Sequence, residues 1–203
     1  MSYHGRLTRE NAALLIVDHQ VGLFTGVRDI DTLSLKHNIV GLSKAAAALK
    51  IPIVVTTTTE GLWGPMIPEL QEALPGVDRI ERTTVNAWDD PRVVAAVEAT
   101  GRKNLIITGI STDVCLALPA LSALAAGYTT YAAIDASGAF TKQQADAGVM
   151  RMVQAGVVPV CYSNVVEILA DNAAAEVNAV YAALDMPFAR LVGDLNQYFS
   201  NKN

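Results

Sequence analysis

Short apolar runs alternate with segments of helical periodicity along most of the chain, and this alternation constrains the fold more than any other feature. Five runs are apolar or β-branched and predict buried strands: residues 12–19, 51–59, 104–110, 129–137 and 157–163. A weaker strand is predicted within 78–88, and helices are predicted over 32–50, 66–75, 91–101, 112–126 and 142–156. Because parallel strands need helical crossovers, this order predicts a three-layer α/β/α sandwich with a mainly parallel sheet.

The length and hydrophobic content fit one domain. The 203 residues are 51% hydrophobic and no linker or repeat interrupts them, so we expect a single domain over 1–203. The C-terminal tail, about 164–203, is expected to be helical with a break at Pro187 and to pack on the domain or on a neighbouring subunit. Its alanine-rich part, ADNAAAEVNAVYAAL, favours buried contacts between subunits, with packing inside the monomer as the alternative.

The net charge and the cysteine content limit the classes of partner that we expect for this chain. The net charge of −5 is spread along the chain without a basic patch, so neither nucleic acid nor a membrane is an expected partner. The apolar runs are too short to span a membrane, the polar start MSYHGRLTRE resembles no secretory signal, and two cysteines are too few for a disulfide framework. We therefore expect a cytoplasmic protein whose partner is a small-molecule substrate or another copy of the chain.

Polar side chains follow several predicted strands at their carboxyl ends, where open α/β sheets bind ligands. Cys115 begins the helix predicted after strand 104–110, where backbone N–H groups and the helix dipole would lower the pKa of a thiol. From its position alone, Cys115 is equally well explained as a small apolar residue that fills space. Cys161 lies within a predicted apolar strand and is expected only to fill space.

Asp18 and Arg82 end two other predicted strands. Asp18 follows LLIV directly, and a carboxylate there is either a general base or a turn and cap residue. Arg82 either holds Asp18 ionised and favours a thiolate, or it forms a surface salt bridge with Glu81. The residues alone leave these alternatives open.

Three segments together resemble the isochorismatase-like cysteine hydrolase family over about residues 10–170: LLIVDHQ, GISTDVCLALPALSALAAGY and IDASGAF. The resemblance is closer still to the YcaC-type branch of that family, in the segments VDHQVGLFTGVRDID, GPMIPEL, NAWDD and LPALSALAAGY. It implies the Rossmann-like α/β topology of the family and a homo-oligomer, typically an octamer. It also implies a hydrolase without an established physiological substrate.

The resemblance implies a role for each strand-end residue. Cys115 would be the nucleophile that attacks an amide-type carbon, and Asp18 the general base that takes its proton. Arg82 stands where the family usually has lysine; an arginine can orient the other two but stays charged and cannot shuttle a proton. The family also has a cis peptide bond at the position of Ile110–Ser111, which would aim the backbone N–H groups of Ser111 and Cys115 into an oxyanion hole.

No metal or other cofactor is expected. Nicotinamidase-like relatives hold a metal through an Asp-x-His pattern after the second strand, whereas TTTTEGLWG offers one carboxylate and no histidine there. Aromatic residues that follow strand ends are expected either to form an apolar wall for a small substrate or to pack in the core: Phe24, Trp63 and Trp88. Asn86 would add a polar group to this pocket, and His19 is expected to be structural or to line it.

Three functions follow in order of expectation. The first is a cofactor-independent cysteine hydrolase that cleaves a C–N bond of a small molecule through Cys115. The second is a catalytically idle, oligomeric binding or assembly protein on the same fold. The third, a nucleotide-binding α/β protein, ranks last because no G-x-G-x-x-G follows the first strand.

Overall fold

Within residues 5–201, which the computed structural model describes, six strands form one parallel sheet. The strands are β1 (Ala12–Val17), β2 (Ile53–Thr58), β3 (Arg79–Arg82), β4 (Asn104–Gly109), β5 (Thr129–Ala133) and β6 (Val158–Val160). They lie in the order β3-β2-β1-β4-β5-β6, and every neighbouring pair is parallel. The prediction of a parallel α/β sheet is confirmed.

Helices connect the strands and continue beyond the sheet: α1 (Val21–Phe24), α2 (Thr32–Ala48), α3 (Glu60–Trp63), α4 (Pro68–Ala73), α5 (Pro91–Ala99), α6 (Ala117–Ala125), α7 (Lys142–Ala155), α8 (Val177–Leu184) and α9 (Pro187–Ser200). Side-chain caps fix two of the longer ones at their start. Asp31 accepts the N–H of Ser34 at α2, and Thr141 accepts that of Gln144 at α7. Gly156 ends α7 in the left-handed conformation, at φ 104°.

Alternate residues of β1 point to opposite faces of the sheet, and helices cover both faces. Leu14 and Ile16 belong to the core layer formed with α2 and α8. Leu15 and Val17 belong to the opposite layer, formed with α5 and α6. Because both faces are covered, all six residues of β1 are buried, which explains why this strand is a continuous apolar run.

Cys161 does not fill space within a strand, contrary to the prediction. Strand β6 is an edge strand that pairs with β5 over three residues, and it ends at Val160. Cys161 is therefore exposed, and it precedes a 3-10 helix over Tyr162–Leu169. The Tyr162 N–H donates to Asp135 Oδ1 at 2.7 Å, and this bond fixes the chain where it leaves the sheet.

Two other predicted elements change type near their ends. The strand predicted over 129–137 ends at Ala133 and continues as a 3-10 turn. The helix predicted over 112–126 begins with a π-helical turn at Thr112–Leu116 before it becomes α6. We refer to Thr112–Leu116 as the cysteine turn because it contains Cys115.

The C-terminal tail consists of separate elements rather than one broken helix. After the 3-10 helix come α8 and α9, and α9 begins at Pro187, where the break was predicted. The alanine-rich α8 packs against α2 inside the monomer, with Val180 and Leu184 fully buried. This is the alternative that the sequence left open.

Helix α9 buries none of its residues. Its exposed apolar side chains recur at helical spacing along one side: Phe188, Leu191, Leu195 and Phe199. None of the helices in the described part of the chain is both long enough and apolar enough to cross a membrane.

Candidate active site

The sheet topology brings the strand-end residues of interest to one edge. The strand order changes direction between β1 and β4, because β2 and β3 lie on one side of β1 and β4 lies on the other. Asp18 directly follows β1, and the cysteine turn follows β4 after two residues. Both therefore lie at the carboxyl edge of the sheet, beside the position where open α/β folds bind their ligands.

Asp18 and Arg82 form a buried ion pair. Asp18 leaves β1 in the left-handed region, at φ 59°, a conformation that aspartate tolerates better than most residues. The Arg82 Nη2 donates to Asp18 Oδ2, and neither side chain has exposed surface. The alternative of a surface salt bridge between Arg82 and Glu81 is wrong, because Glu81 Oε1 accepts the backbone N–H of Glu60 at 2.9 Å instead.

Arg82 also holds the loop that follows β3. Its Nη1 donates to the backbone carbonyl of Thr84 and, at 3.2 Å, to that of Val85. The planar guanidinium can make these contacts and the Asp18 contact at the same time because its donors are arranged in a fork. Asp18 and the loop after β3 are thus tied to one side chain.

The Cys115 thiol meets the same carboxylate. It lies beside the Asp18 carboxylate and the backbone of Ser111, which influence its ionisation, and all three residues line the same cavity. Burial, followed by the negative charge of Asp18, raises the pKa of Cys115 well above its ordinary value, although Arg82 acts in the opposite direction. The expectation that the helix terminus lowers the pKa of this thiol is therefore wrong: burial and the Asp18 charge outweigh it, and at neutral pH the thiol keeps its proton.

Asp18 has an altered pKa as well. Burial raises the pKa of its carboxyl group, and this effect outweighs the neighbouring Arg82 charge and the hydrogen bonds from Cys115 and Arg82. A carboxylate with a raised pKa is a stronger base than an exposed one. The pair is thus a neutral thiol beside a carboxylate that can accept its proton.

The backbone around Ser111 has an unusual geometry. The Ile110–Ser111 peptide bond is cis, at the position that the family resemblance implies. The Ser111 carbonyl accepts the N–H of Leu116 at 3.1 Å, the five-residue spacing of a π-helix. The Ser111 hydroxyl donates to Asp113 Oδ1 at 2.7 Å, so both ends of the cysteine turn are fixed.

Two glycines allow close packing against the cysteine turn, and the sequence analysis missed both. A Cβ atom at Gly109 would lie 2.6 Å from the carbonyl carbon of Cys115, and one at Gly148 would lie 2.8 Å from the Asp113 Cα. Such separations are too short for real side chains, so β4 and α7 can support the turn only with glycine at these points. A glycine inside a helix, as in α7, was the available signal.

A small cavity of about 220 Å³ opens beside the thiol. Four of its lining residues belong to the site described above: Asp18, Ile110, Ser111 and Cys115. The others are Thr58 and the apolar residues Leu23, Trp63, Val85, Val114 and Phe140. Of the expected pocket residues, Trp63 lies in this wall. Leu23, Val114 and Phe140 were missed because they reach the cavity from the short helix α1, the cysteine turn and a loop, whose directions the sequence does not encode locally.

The other four expected pocket residues lie elsewhere. The His19 Nε2 donates to the Ala136 carbonyl at 2.9 Å in the core, and burial lowers the pKa of His19 to about 4, so the ring is neutral. Phe24 lines a separate surface groove. Asn86 caps a short 3-10 helix, and its Nδ2 donates a hydrogen bond to the Ser122 hydroxyl at 3.1 Å. Trp88 packs edge-on against Tyr128 with ring centroids 5.5 Å apart.

Among residues 5–201, no three side chains of the His, Cys, Asp and Glu types converge as a metal site would require. The chemistry that the site offers is that of its own side chains: a thiol, a carboxylate that can accept its proton, and a guanidinium that holds the carboxylate in place.

Comparison with known proteins shows the family of the chain. The sequence matches the isochorismatase domain family over residues 12–163. It is 43% identical over 153 residues to the probable hydrolase YcaC of Escherichia coli strain K12, covering 74% of each chain. The structure of E. coli YcaC, described as an octameric hydrolase of unknown specificity, superposes with a TM-score of 0.89 at 35% identity and covers 98% of this chain and 100% of that one.

A second solved structure is similarly close. YcaC from Pseudomonas aeruginosa, determined with hexane-2,5-diol and covalent acrylamide, superposes with a TM-score of 0.88 at 38% identity, covering 97% of this chain and 99% of that one. The family match spans most of the chain, and both solved relatives cover nearly all of it. The chain therefore belongs to the isochorismatase-like family of hydrolases, within its YcaC-type branch.

Proposed function

We propose that the protein is a cofactor-independent cysteine hydrolase that cleaves the C–N bond of a small amide-type substrate through a covalent bond to Cys115. One observation carries this proposal: Cys115 and Asp18 lie side by side in the wall of one small cavity. Nucleophile and base are thus within reach of each other and of a bound substrate, which is the geometric requirement for covalent catalysis.

In the first half of the reaction, the thiol proton passes to the Asp18 carboxylate while Cys115 Sγ attacks the substrate carbonyl carbon. The S–C bond forms and the carbonyl π electrons move onto oxygen. Because the resting thiol is protonated, this transfer accompanies attack rather than preceding it. The raised pKa of Asp18 suits it to hold the proton until the leaving group needs it.

The backbone N–H groups of Ser111 and Cys115 are the proposed donors to the oxyanion. Ser111 directly precedes the π-helical cysteine turn, and its backbone lies beside the sulfur. An oxyanion formed on a carbon bonded to that sulfur would lie near the same groups, and such donors stabilise the charge that develops there.

In the second half, the C–N bond breaks and Asp18 returns its proton to the departing nitrogen, which leaves a thioester on Cys115. Water then adds to the thioester carbon and gives a proton to Asp18. The S–C bond breaks, and the sulfur regains its proton to restore the starting state. Arg82 keeps its own proton throughout and acts by holding Asp18 in position.

A relative supports a reactive group in this branch. The P. aeruginosa YcaC structure contains covalent acrylamide, and acrylamide is an electrophile that reacts readily with thiols. The E. coli relative is described as a hydrolase. Neither fact names a substrate for this chain, so the amide-type bond remains part of the proposal.

The test is a screen of small amides with detection of an acyl group by intact mass. Cys115→Ala should lower turnover by at least about a thousandfold, because no other group replaces the nucleophile. The matched control is Cys161→Ser, which changes the exposed cysteine and should leave turnover unchanged. Equal background rates for the native protein and Cys115→Ala would instead favour the alternative of an idle assembly protein.

We also propose that the protein forms a homo-oligomer, an octamer as described for E. coli YcaC. Helix α9 is a suitable contact because its apolar side is exposed on the monomer. Leu195→Asp should therefore lower the mass measured by light scattering, whereas Gln197→Glu on the same helix should not. Unchanged mass for both variants would place the contact elsewhere.

A further inference from the structure

We propose that the cavity beside Cys115 admits an uncharged acyl group and rejects carboxylate-bearing molecules. The inference rests on the proposed function and adds its substrate class. The wall that carries it is mainly apolar: Leu23, Trp63, Val85, Ile110, Val114 and Phe140. No lysine, arginine or histidine side chain is among the described residues that line the cavity, so a bound anion would find no cation within the wall.

Arg82 does not supply the missing positive charge. Its side chain has no exposed surface, and its terminal nitrogens already donate to Asp18 and to the carbonyls of Thr84 and Val85. A substrate carboxylate could engage it only by displacing Asp18, the proposed base. The buried cation is therefore unavailable to a ligand.

Among the described residues that line the cavity, the charged side chain is a carboxylate. Asp18 itself lines the cavity, and Asp113 lies one hydrogen bond behind the wall, since it accepts the Ser111 hydroxyl at 2.7 Å. A carboxylate that entered would lose its hydration and meet like charges without a partner. Both effects oppose its binding.

The cavity volume limits the size of the group. At about 30 Å³ for each water in the liquid, roughly seven water molecules would fill the 220 Å³. This is the volume of a short aliphatic or small aromatic acyl group, and it is smaller than the pockets that hold drug-sized ligands. The geometry thus points to amides of small uncharged acids, with the amine part directed toward the opening.

Alkylation of the thiol tests the charge selection without knowledge of the substrate. Iodoacetamide and iodoacetate have nearly the same shape and differ in charge; with each, the thiol sulfur displaces iodide and the thiol loses its proton. The rates at Cys115 and Cys161 are measured separately by peptide mass spectrometry, and each is divided by the rate of the free neutral thiol N-acetylcysteinamide. The normalised preference for iodoacetamide should be at least about tenfold at Cys115, and smaller at Cys161, which is exposed to solvent although Asp135 lies beside it.

A charge introduced at the cavity rim provides the converse test. Val85 is 66% exposed, so a long side chain there can be accommodated without disturbing the core. Val85→Arg should reduce the preference for iodoacetamide at Cys115 by about tenfold by accelerating iodoacetate, whereas the neutral Val85→Gln should leave the preference unchanged.

The possible failures are distinguishable. If Cys115 reacts with both reagents at the same normalised rate, or if Val85→Arg and Val85→Gln behave alike, the charge selection is overturned while the nucleophile proposal stands. If neither reagent modifies Cys115 in folded protein even at about pH 10, where the ionised fraction of a thiol with a raised pKa is larger, the cavity does not open to the sulfur. The proposed function itself is then overturned.

Discussion

Removal of the Asp18 charge should leave Arg82 as an unpaired buried cation, and this makes the pair the most informative target for mutation. Neither side chain has exposed surface, so water cannot replace the lost partner. Asn is the appropriate replacement because it keeps the size of the side chain and also tolerates the left-handed backbone at position 18. Asp18→Asn therefore changes the charge and little else.

The expected magnitude follows from the behaviour of buried ion pairs. Loss of one partner costs about 3–5 kcal/mol, because arginine cannot lose its proton to escape the penalty. For a chain of this length, each kcal/mol lowers the midpoint of thermal unfolding by about 2–4 °C. Asp18→Asn should therefore lower the midpoint by about 6–20 °C.

The complementary variant, Arg82→Met, should respond differently to pH. It leaves Asp18 buried without a cation, which raises the pKa of that carboxyl further, and the carboxyl can then take up a proton. Since the folded state binds this proton more tightly than the unfolded state, the penalty should shrink as the pH falls from about 8 to about 5. The penalty of Asp18→Asn should not follow this trend.

Thermal unfolding followed by circular dichroism, at one fixed protomer concentration, measures all four members of the cycle. The double variant buries neither charge, so it should be more stable than Asp18→Asn alone, with a coupling energy of at least about 2 kcal/mol. A shift below about 3 °C for Asp18→Asn, together with additive effects in the double variant, would refute the buried pair as described.

Three further outcomes follow from the structure. Gly109→Ala should reduce alkylation of Cys115 or turnover by at least about tenfold, because a Cβ there would contact the cysteine turn at 2.6 Å; Gly61→Ala, with open space around it, is the control. Because burial lowers the pKa of His19 from 6.5 to about 4, the unfolded chain takes up this proton first as the pH falls. The free energy of unfolding in urea titrations should then decrease by up to about 3 kcal/mol between those pH values, and His19→Gln should abolish the decrease. Trp63→Ala should raise KM for an apolar amide by about tenfold with a smaller change in kcat, because Trp63 forms part of the cavity wall.

The polar residues at the ends of predicted strands indicated where the candidate site lies, but they did not predict its detailed geometry. Apolar runs that end in polar residues predicted where Asp18 and Cys115 lie, and the parallel sheet brings both to one edge. Arg82 also ends a predicted strand, but its local sequence left a surface ion pair with Glu81 open, and the family resemblance was needed to give it a role in the site. Its complete burial depends on β2, β3 and the following loop packing together, which no short segment encodes.

The ionisation of the thiol illustrates the limit of local reasoning. The helix terminus, visible in the sequence, predicted a lowered pKa for Cys115. Burial and the Asp18 carboxylate, which arise only in the folded chain, act in the opposite direction and outweigh it. The prediction of the pocket residues was partly wrong for a similar reason. Trp63 and Trp88 both follow strands, but the direction of each loop decides which side chain faces the cavity, and only Trp63 does.

Because arginine stands where the family usually has lysine, the proposed mechanism assigns proton transfer to Asp18 and positioning to Arg82. A lysine at position 82 could lose a proton and share acid–base work, but it has a single nitrogen with which to meet Asp18 and the carbonyls of Thr84 and Val85. The guanidinium reaches all three and stays charged, so every proton in the cycle must pass through Asp18. The same side chain fixes the backbone of Val85, which lines the cavity. In this chain, therefore, the residue that orients the proposed base also fixes part of the cavity wall, and a change at position 82 should alter selectivity together with rate.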